Sequence, residues 1–226
     1  MRLKENIENT KIPDYSSKQE LFNYSSHFLG LPLALFIIGF DIFRFANAQI
    51  TLLELFGLIV FGISAFIVFL VSSIYHITKR ESPKKKLLRI IDHCTIYLLI
   101  AGTYTPVCFN LFQADKPYAL GIFMLIFQWV GVIVGVILNA FFFQNKVSRI
   151  ISFALYVLMG WLALICGAVF HIHLYSFILI LSGGIIYTIG SIIYACGHSY
   201  KWLHFIFHIF VLLGFIAQAI GVFLLQ

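Results

Sequence analysis

The sequence predicts an all-α polytopic membrane protein, a bundle of seven transmembrane helices, and three observations carry that reading. Apolar residues make up 61% of the 226, and charged residues only 11%. Apolar runs of about 20 residues recur along the chain, each long enough as a helix to cross a hydrocarbon core roughly 30 Å thick. The runs do not alternate in segments of about ten, as the strands of a membrane barrel do. Inside a bilayer, a helix satisfies its own backbone hydrogen bonds.

Read in order, the spans cover 23–43, 52–77, 88–112, 118–142, 147–170, 174–196 and 201–225, with ends that can slip by about 2–4 residues. Connections are short and no polar linker separates two units. The chain therefore reads as one seven-helix domain, residues 23–226, behind a polar tail, residues 1–22. The tail lacks an apolar core followed by a small-residue cleavage site, so the first span is expected to act as an uncleaved targeting signal.

Basic residues set the expected orientation. Arg2, Lys4, Lys11 and Lys18 precede the first span. Lys79, Arg80, Lys84, Lys85, Lys86 and Arg89 surround the connection after the second, Lys146 and Arg149 follow the fourth, and Lys201 precedes the seventh. These thirteen of the fifteen Lys and Arg share one side; Arg44 and Lys116 lie on the other. The positive-inside rule then places the N-terminus in the cytoplasm and the C-terminus outside. The run Lys84-Lys85-Lys86 reads as a topology determinant that can also meet anionic headgroups. The net charge of +6 belongs to these loops, and no basic helix with interleaved aromatics points to nucleic acid. Membrane lipids are the expected partners.

Cys94, Cys108, Cys166 and Cys196 are scattered, with no CxxC pair, so neither a disulfide framework nor a thiolate zinc site is indicated. The Gly131–Gly135 stretch, GVIVG, permits close helix packing, within the chain rather than between copies. Gln128, Asn139 and Gln218 read as helix-to-helix hydrogen bonds.

Ionisable groups at bilayer depth are costly and mark function. His76 ends the second span, Asp92 lies about four residues (roughly 6 Å) into the third, and His204 and His208 occupy the first two turns of the seventh. All four fall in one shallow cytoplasmic layer. His204 and His208, four apart, share a helix face, as do Ser72 and His76. Three imidazoles suit Zn2+ and leave a fourth position open for water, the design of a catalytic rather than a structural site. His76, His204 and His208 are the expected metal ligands. Asp92 is expected to hold the water as general base, and Ser72 to bond the substrate or the developing oxyanion.

Taken singly, each has a plainer reading. His76 reads as a polar belt residue, Asp92 as a helix-start carboxylate paired with Arg89, and Ser72 as a backbone-bonded or tightly packed serine. Their coincidence at one depth favours the metal site. His171 and His173 read as outer-loop residues, His198 as a solvated turn residue, and His93 as facing another side than Asp92.

These residues resemble the hemolysin III proteins, the bacterial branch of the progestin and adipoQ receptor family, over nearly the whole chain. Glu20, Asn23, Ser26 and His27 match a motif of the first helix, with Ser26 where Thr is more usual. Ser72-Ser73-Ile74-Tyr75-His76, Asp92-His93, Gly102 to Pro106, and the His204/His208 pair match motifs of the second, third and seventh helices. The resemblance implies seven helices in the bacterial plasma membrane and zinc held at His76, His204 and His208. It implies that Asp92 contacts the zinc-bound water and that Ser72 belongs to the same cluster. Related alkaline ceramidases hydrolyse a lipid amide, and the bacterial members are linked to red-cell lysis and membrane-lipid homeostasis. His27 is expected to support the pocket without being a ligand. A zinc-dependent hydrolase of ceramide-like amides or esters is thus the expected function. The alternatives are a pore-forming cytolysin, which seven apolar helices without an export signal disfavour, and a lipid-sensing receptor with structural zinc.

Overall fold

The computed structural model describes residues 2–113, 115–165, 171–196, 200 and 202–225. Cys166, His198 and Lys201, and the side chain of Cys196, lie outside the described residues. Within them the chain is helical, with no strand: α1 (Arg2–Asn9), α2 (Ser17–Phe28), α3 (Gly30–Ala46), α4 (Leu52–Ile77), α5 (Lys84–Asn110), α6 (Tyr118–Phe142), α7 (Lys146–Ile165), α8 (Leu174–Cys196) and α9 (Trp202–Phe223).

Six segments among the described residues are long and apolar enough to cross a membrane: Ser17–Ala46, Leu52–Ile77, Lys84–Asn110, Tyr118–Phe142, Leu174–Ala195 and Trp202–Phe223. The fifth expected span, 147–170, corresponds to α7, and its last five residues lie outside the described ones. Chain neighbours are mostly neighbours in space. α3 packs on α4, α4 on α5, α5 on α6, α6 on α7 and α8 on α9, while α9 closes the ring against α2. Large apolar side chains such as Phe36, Leu52, Ile133 and Leu174 face outward, as lipid contact requires. Phe61 and Phe69 of α4 meet Phe215 of α9 in the core, with ring centroids 5.5 and 5.2 Å apart.

The first membrane segment differs from the sequence expectation. The helix begins at Ser17 rather than near residue 23, because Ser16 and Gln19 form a reciprocal capping box that satisfies the first orphan donors. Leu29 joins α2 to α3 with helical dihedrals. Gly30 faces the Phe69 ring, where a Cβ would come within 2.4 Å, so only glycine lets this helix lie so close to α4.

The polar tail also carries structure. Asn6 of α1 donates to the carbonyls of Asn139 (3.1 Å) and Ala140 (2.8 Å) at the end of α6, which satisfies helix-terminal acceptors. Arg80 bonds Asp14, and Arg89 and Lys86 bond the main-chain oxygens of Lys11 and Glu8. The segment before α2 is thereby strapped across one end of the bundle.

Gly131 and Gly135 pack inside the chain, as expected. A Cβ at Gly131 would meet Met159 at 2.6 Å, and one at Gly135 would meet the Tyr97 ring at 2.3 Å. Gln128 donates to Met159 O of α7 at 2.8 Å, and Asn139 donates to Tyr156 Oη at 3.3 Å. Gln218 packs its stem against Gly183 of α8. Pro106 lies inside α5, and on the turn before it the hydroxyls of Thr103 and Thr105 bond the carbonyls of Leu99 and Ala101.

Candidate metal centre

Three helices converge under the strap. α4 delivers His76 in its last turn, and α9 delivers His204 and His208 in its first two turns. His76 and His208 are buried, and His204 is half-buried. His204 Nε2 lies 3.3 Å from His76 Nε2 and 3.2 Å from His208 Nε2. One ligand nitrogen from each of the three lies within 4.8 Å of the others. Nitrogens about 2.0–2.1 Å from a tetrahedral ion stand roughly 3.3 Å from one another. The two measured separations are therefore the edges such a polyhedron requires.

The outer ring nitrogens explain why the inner ones are available. His76 Nδ1 donates to Glu20 Oε2 at 2.6 Å. His208 Nδ1 donates to the main-chain oxygen of Asn23 at 3.1 Å, with Ser26 Oγ at 3.3 Å. A carboxylate and a carbonyl only accept, so the proton of each neutral ring is fixed at Nδ1 and a lone pair remains at Nε2. Metal-binding histidines are oriented in this way by a carboxylate or carbonyl behind the ring. Lone pairs aimed at one point repel each other without a cation between them, so this donor set fits a metal ion.

Helix α2 is the scaffold behind the cluster. Glu20, Asn23 and His27 recur at helical spacing and face α4 and α9. The His27 ring stacks on His208, centroids 3.7 Å apart and planes 15° from parallel, and meets Phe69 edge-on. It backs a ligand rather than joining the set. Both His27 nitrogens, both Asn23 amide atoms and the hydroxyl of Ser73 are buried without a direct hydrogen-bond partner.

Asp92, in the third turn of α5, is half-buried, beside Ser72 and within electrostatic reach of His76 and Arg89. His93 faces another side than Asp92. Its Nδ1 lies 2.9 Å from Arg89 O, and its Nε2 lies 3.4 Å from the hydroxyl of Tyr194, whose ring is 5.5 Å from that of His204. His173 contacts Tyr175 at the start of α8. Among the described residues, His76, His204 and His208 form the one group of three or more potential metal ligands.

Three residues of the site carried no role in the sequence reading. Glu20 was visible in a motif, but its carboxylate turns out to bridge His76 and Lys85. Lys85, read as one of three loop lysines, is 1% exposed, whereas Lys84 is exposed. A lysine inside a basic run carries no sequence signal of burial. Tyr15 stacks on His204, centroids 5.2 Å apart and planes 11° from parallel, and lies 6.4 Å from His76. It covers the cluster from the strap, and burial pushes its phenol well above the ordinary tyrosine range.

Comparison with known proteins agrees with this construction. Residues 15–219 match the family model described as haemolysin-III related. The chain is 34% identical over 200 residues to Hemolysin-3 of Bacillus cereus, covering 87% of each chain. It is 32% identical over 203 residues to the Hemolysin-3 homolog of Bacillus subtilis (strain 168), covering 88% of this chain and 91% of that one. The matched region takes in Tyr15, the α2 scaffold and all three clustered histidines. The chain belongs to the haemolysin-III related family, as a multi-pass protein of the bacterial plasma membrane with a histidine cluster able to hold a metal ion.

Proposed function

We propose that the chain is a seven-helix zinc hydrolase that cleaves an amide or ester bond of a ceramide-like membrane lipid, with its N-terminus cytoplasmic and its C-terminus outside. The observation that carries this reading is the spacing of the three Nε2 atoms, with Nδ1 protons held outward by Glu20 and Asn23. His76, His204 and His208 hold the ion and leave one face open. Bound zinc brings the pKa of its water near neutrality and polarises a carbonyl.

The chain's own groups do the rest. Asp92 takes the proton of the attacking water. Ser72, buried beside Asp92, donates to the carbonyl oxygen as it gains charge. Glu20 and the Asn23 carbonyl keep two rings in register. The loop lysines put this layer at the inner headgroups, where the carbonyls of a lipid reach it sideways from the leaflet.

Hydrolysis of labelled ceramide-like lipids by the detergent-purified protein tests the proposal. Wild type is expected to turn over and His204→Ala to fall to background; equal turnover by the two overturns the enzyme reading. The relatives are named for haemolysis, so dye release from vesicles is the companion measurement. Release that ignores chelator and every histidine substitution would favour a pore instead.

A further inference from the structure

The metal centre is held from behind by a cation built into the chain, an inference that rests on the metal reading above. Lys85 lies in the first turn of α5 and is buried at 1% exposure. Its Nζ stands 2.6 Å from Glu20 Oε1, 2.8 Å from Thr78 O and 3.5 Å from His76 O, with the Tyr75 ring centroid 4.9 Å away. An ammonium carries three donors, and it meets three acceptors here. The two carbonyls lie at the C-terminal end of α4, where orphan oxygens and the negative end of the helix dipole suit a positive charge.

Glu20 divides its two oxygens, Oε1 to Lys85 and Oε2 to His76 Nδ1. Lys85 thus grips His76 twice, directly at its carbonyl and indirectly at its ring. A lysine is fully buried only where it is paired. This chain places one within a single carboxylate of the metal ligand whose carbonyl it also holds.

We propose that Lys85 is a positioning residue for the metal centre. By clamping Glu20 it fixes the orientation of the His76 ring, so its loss loosens coordination without removing a ligand. A lysine that served stability alone would change the fraction folded and leave the coordination of folded molecules unaltered.

The test uses the full chain in detergent, with metal affinity read by chelator competition and geometry by the visible absorption of the Co2+-loaded protein. Lys85→Met is expected to weaken metal binding about 10–100-fold, the usual cost of losing an outer partner of a ligand, and to shift the Co2+ bands. Lys85→Arg should restore most of the affinity. Glu20→Gln should weaken binding by a similar factor, and the double variant should lose less than the two single losses combined, because both share the Glu20 connection. If Lys85→Met does not fold, Glu20→Gln carries the same readouts. Lys85→Met and Glu20→Gln proteins that both bind within about twofold of wild type, with unchanged Co2+ bands, overturn the positioning role while the metal reading stands. A wild type that binds no metal overturns both.

Discussion

Two of the buried polar clusters among the described residues are built on opposite rules. Between α5, α6 and α7, donors and acceptors are largely matched to one another, with Gln128 Oε1 the exception. Tyr97 bonds Ser152 O, Tyr156 bonds His93 O, Asn139 bonds Tyr156, Ser152 bonds Asn139, and Asn6 bonds Asn139 O. Between α2, α4 and α9, lone pairs converge on one point, and Asn23, His27 and Ser73 keep buried atoms without direct partners. A matched network ties helices together. A convergent one with open valences is organised around something that is not a side chain. The first cluster reads as architecture and the second as a site.

The sharpest way to break this contrast is to remove a ligand. His208→Ala should abolish metal binding, checked by metal analysis of the purified protein, while the α5–α7 network holds the bundle together. Its counterpart is Tyr156→Phe, which leaves the Asn139 amide without its acceptor and removes the extra bond to the His93 carbonyl. That change should cost about 1–3 kcal/mol of stability, seen in thermal or denaturant unfolding in detergent, with metal content unchanged. Gly135→Ala is expected to cost a similar 1–3 kcal/mol through overpacking against the Tyr97 ring, again without altering the metal. Tyr15→Ala should have the smallest effect on stability, about 0.5–1.5 kcal/mol from the lost stack on His204. It should instead speed metal removal by an added chelator, because the ring that covers the cluster is gone. Loss of metal from Tyr156→Phe, or retained metal in His208→Ala, would erase the distinction between the two clusters.

The part of the site that lies on regular helical spacing was legible. His204 and His208 are four apart, and Ser72 and His76 repeat that interval. The lysine-rich connections put both pairs at one depth, and the structure brings the three histidines together. The supporting partners were not legible, because each is disguised by its surroundings. Lys85 sits in a triplet of lysines whose other members face outward or to the strap. Glu20 lies in a stretch of Ser17, Lys18 and Gln19 that lowers the local hydropathy. The first span therefore reads as starting near residue 23, although a capping box starts the helix at Ser17. The same polar residues that blur the helix start are the ones it needs, since its buried face meets histidines and serines rather than lipid. The α5–α7 network was half visible. Asn139 and Gln128 announced helix-to-helix bonds, but the phenols of Tyr97 and Tyr156 are indistinguishable in sequence from interfacial tyrosines.

Metal content of the detergent-purified full chain, measured beside a His76→Ala variant, addresses the convergence of the three histidines most directly. One equivalent of zinc in the wild type and almost none in the variant is the expected result. A folded wild type without bound metal, or a variant that keeps its full complement, would contradict it.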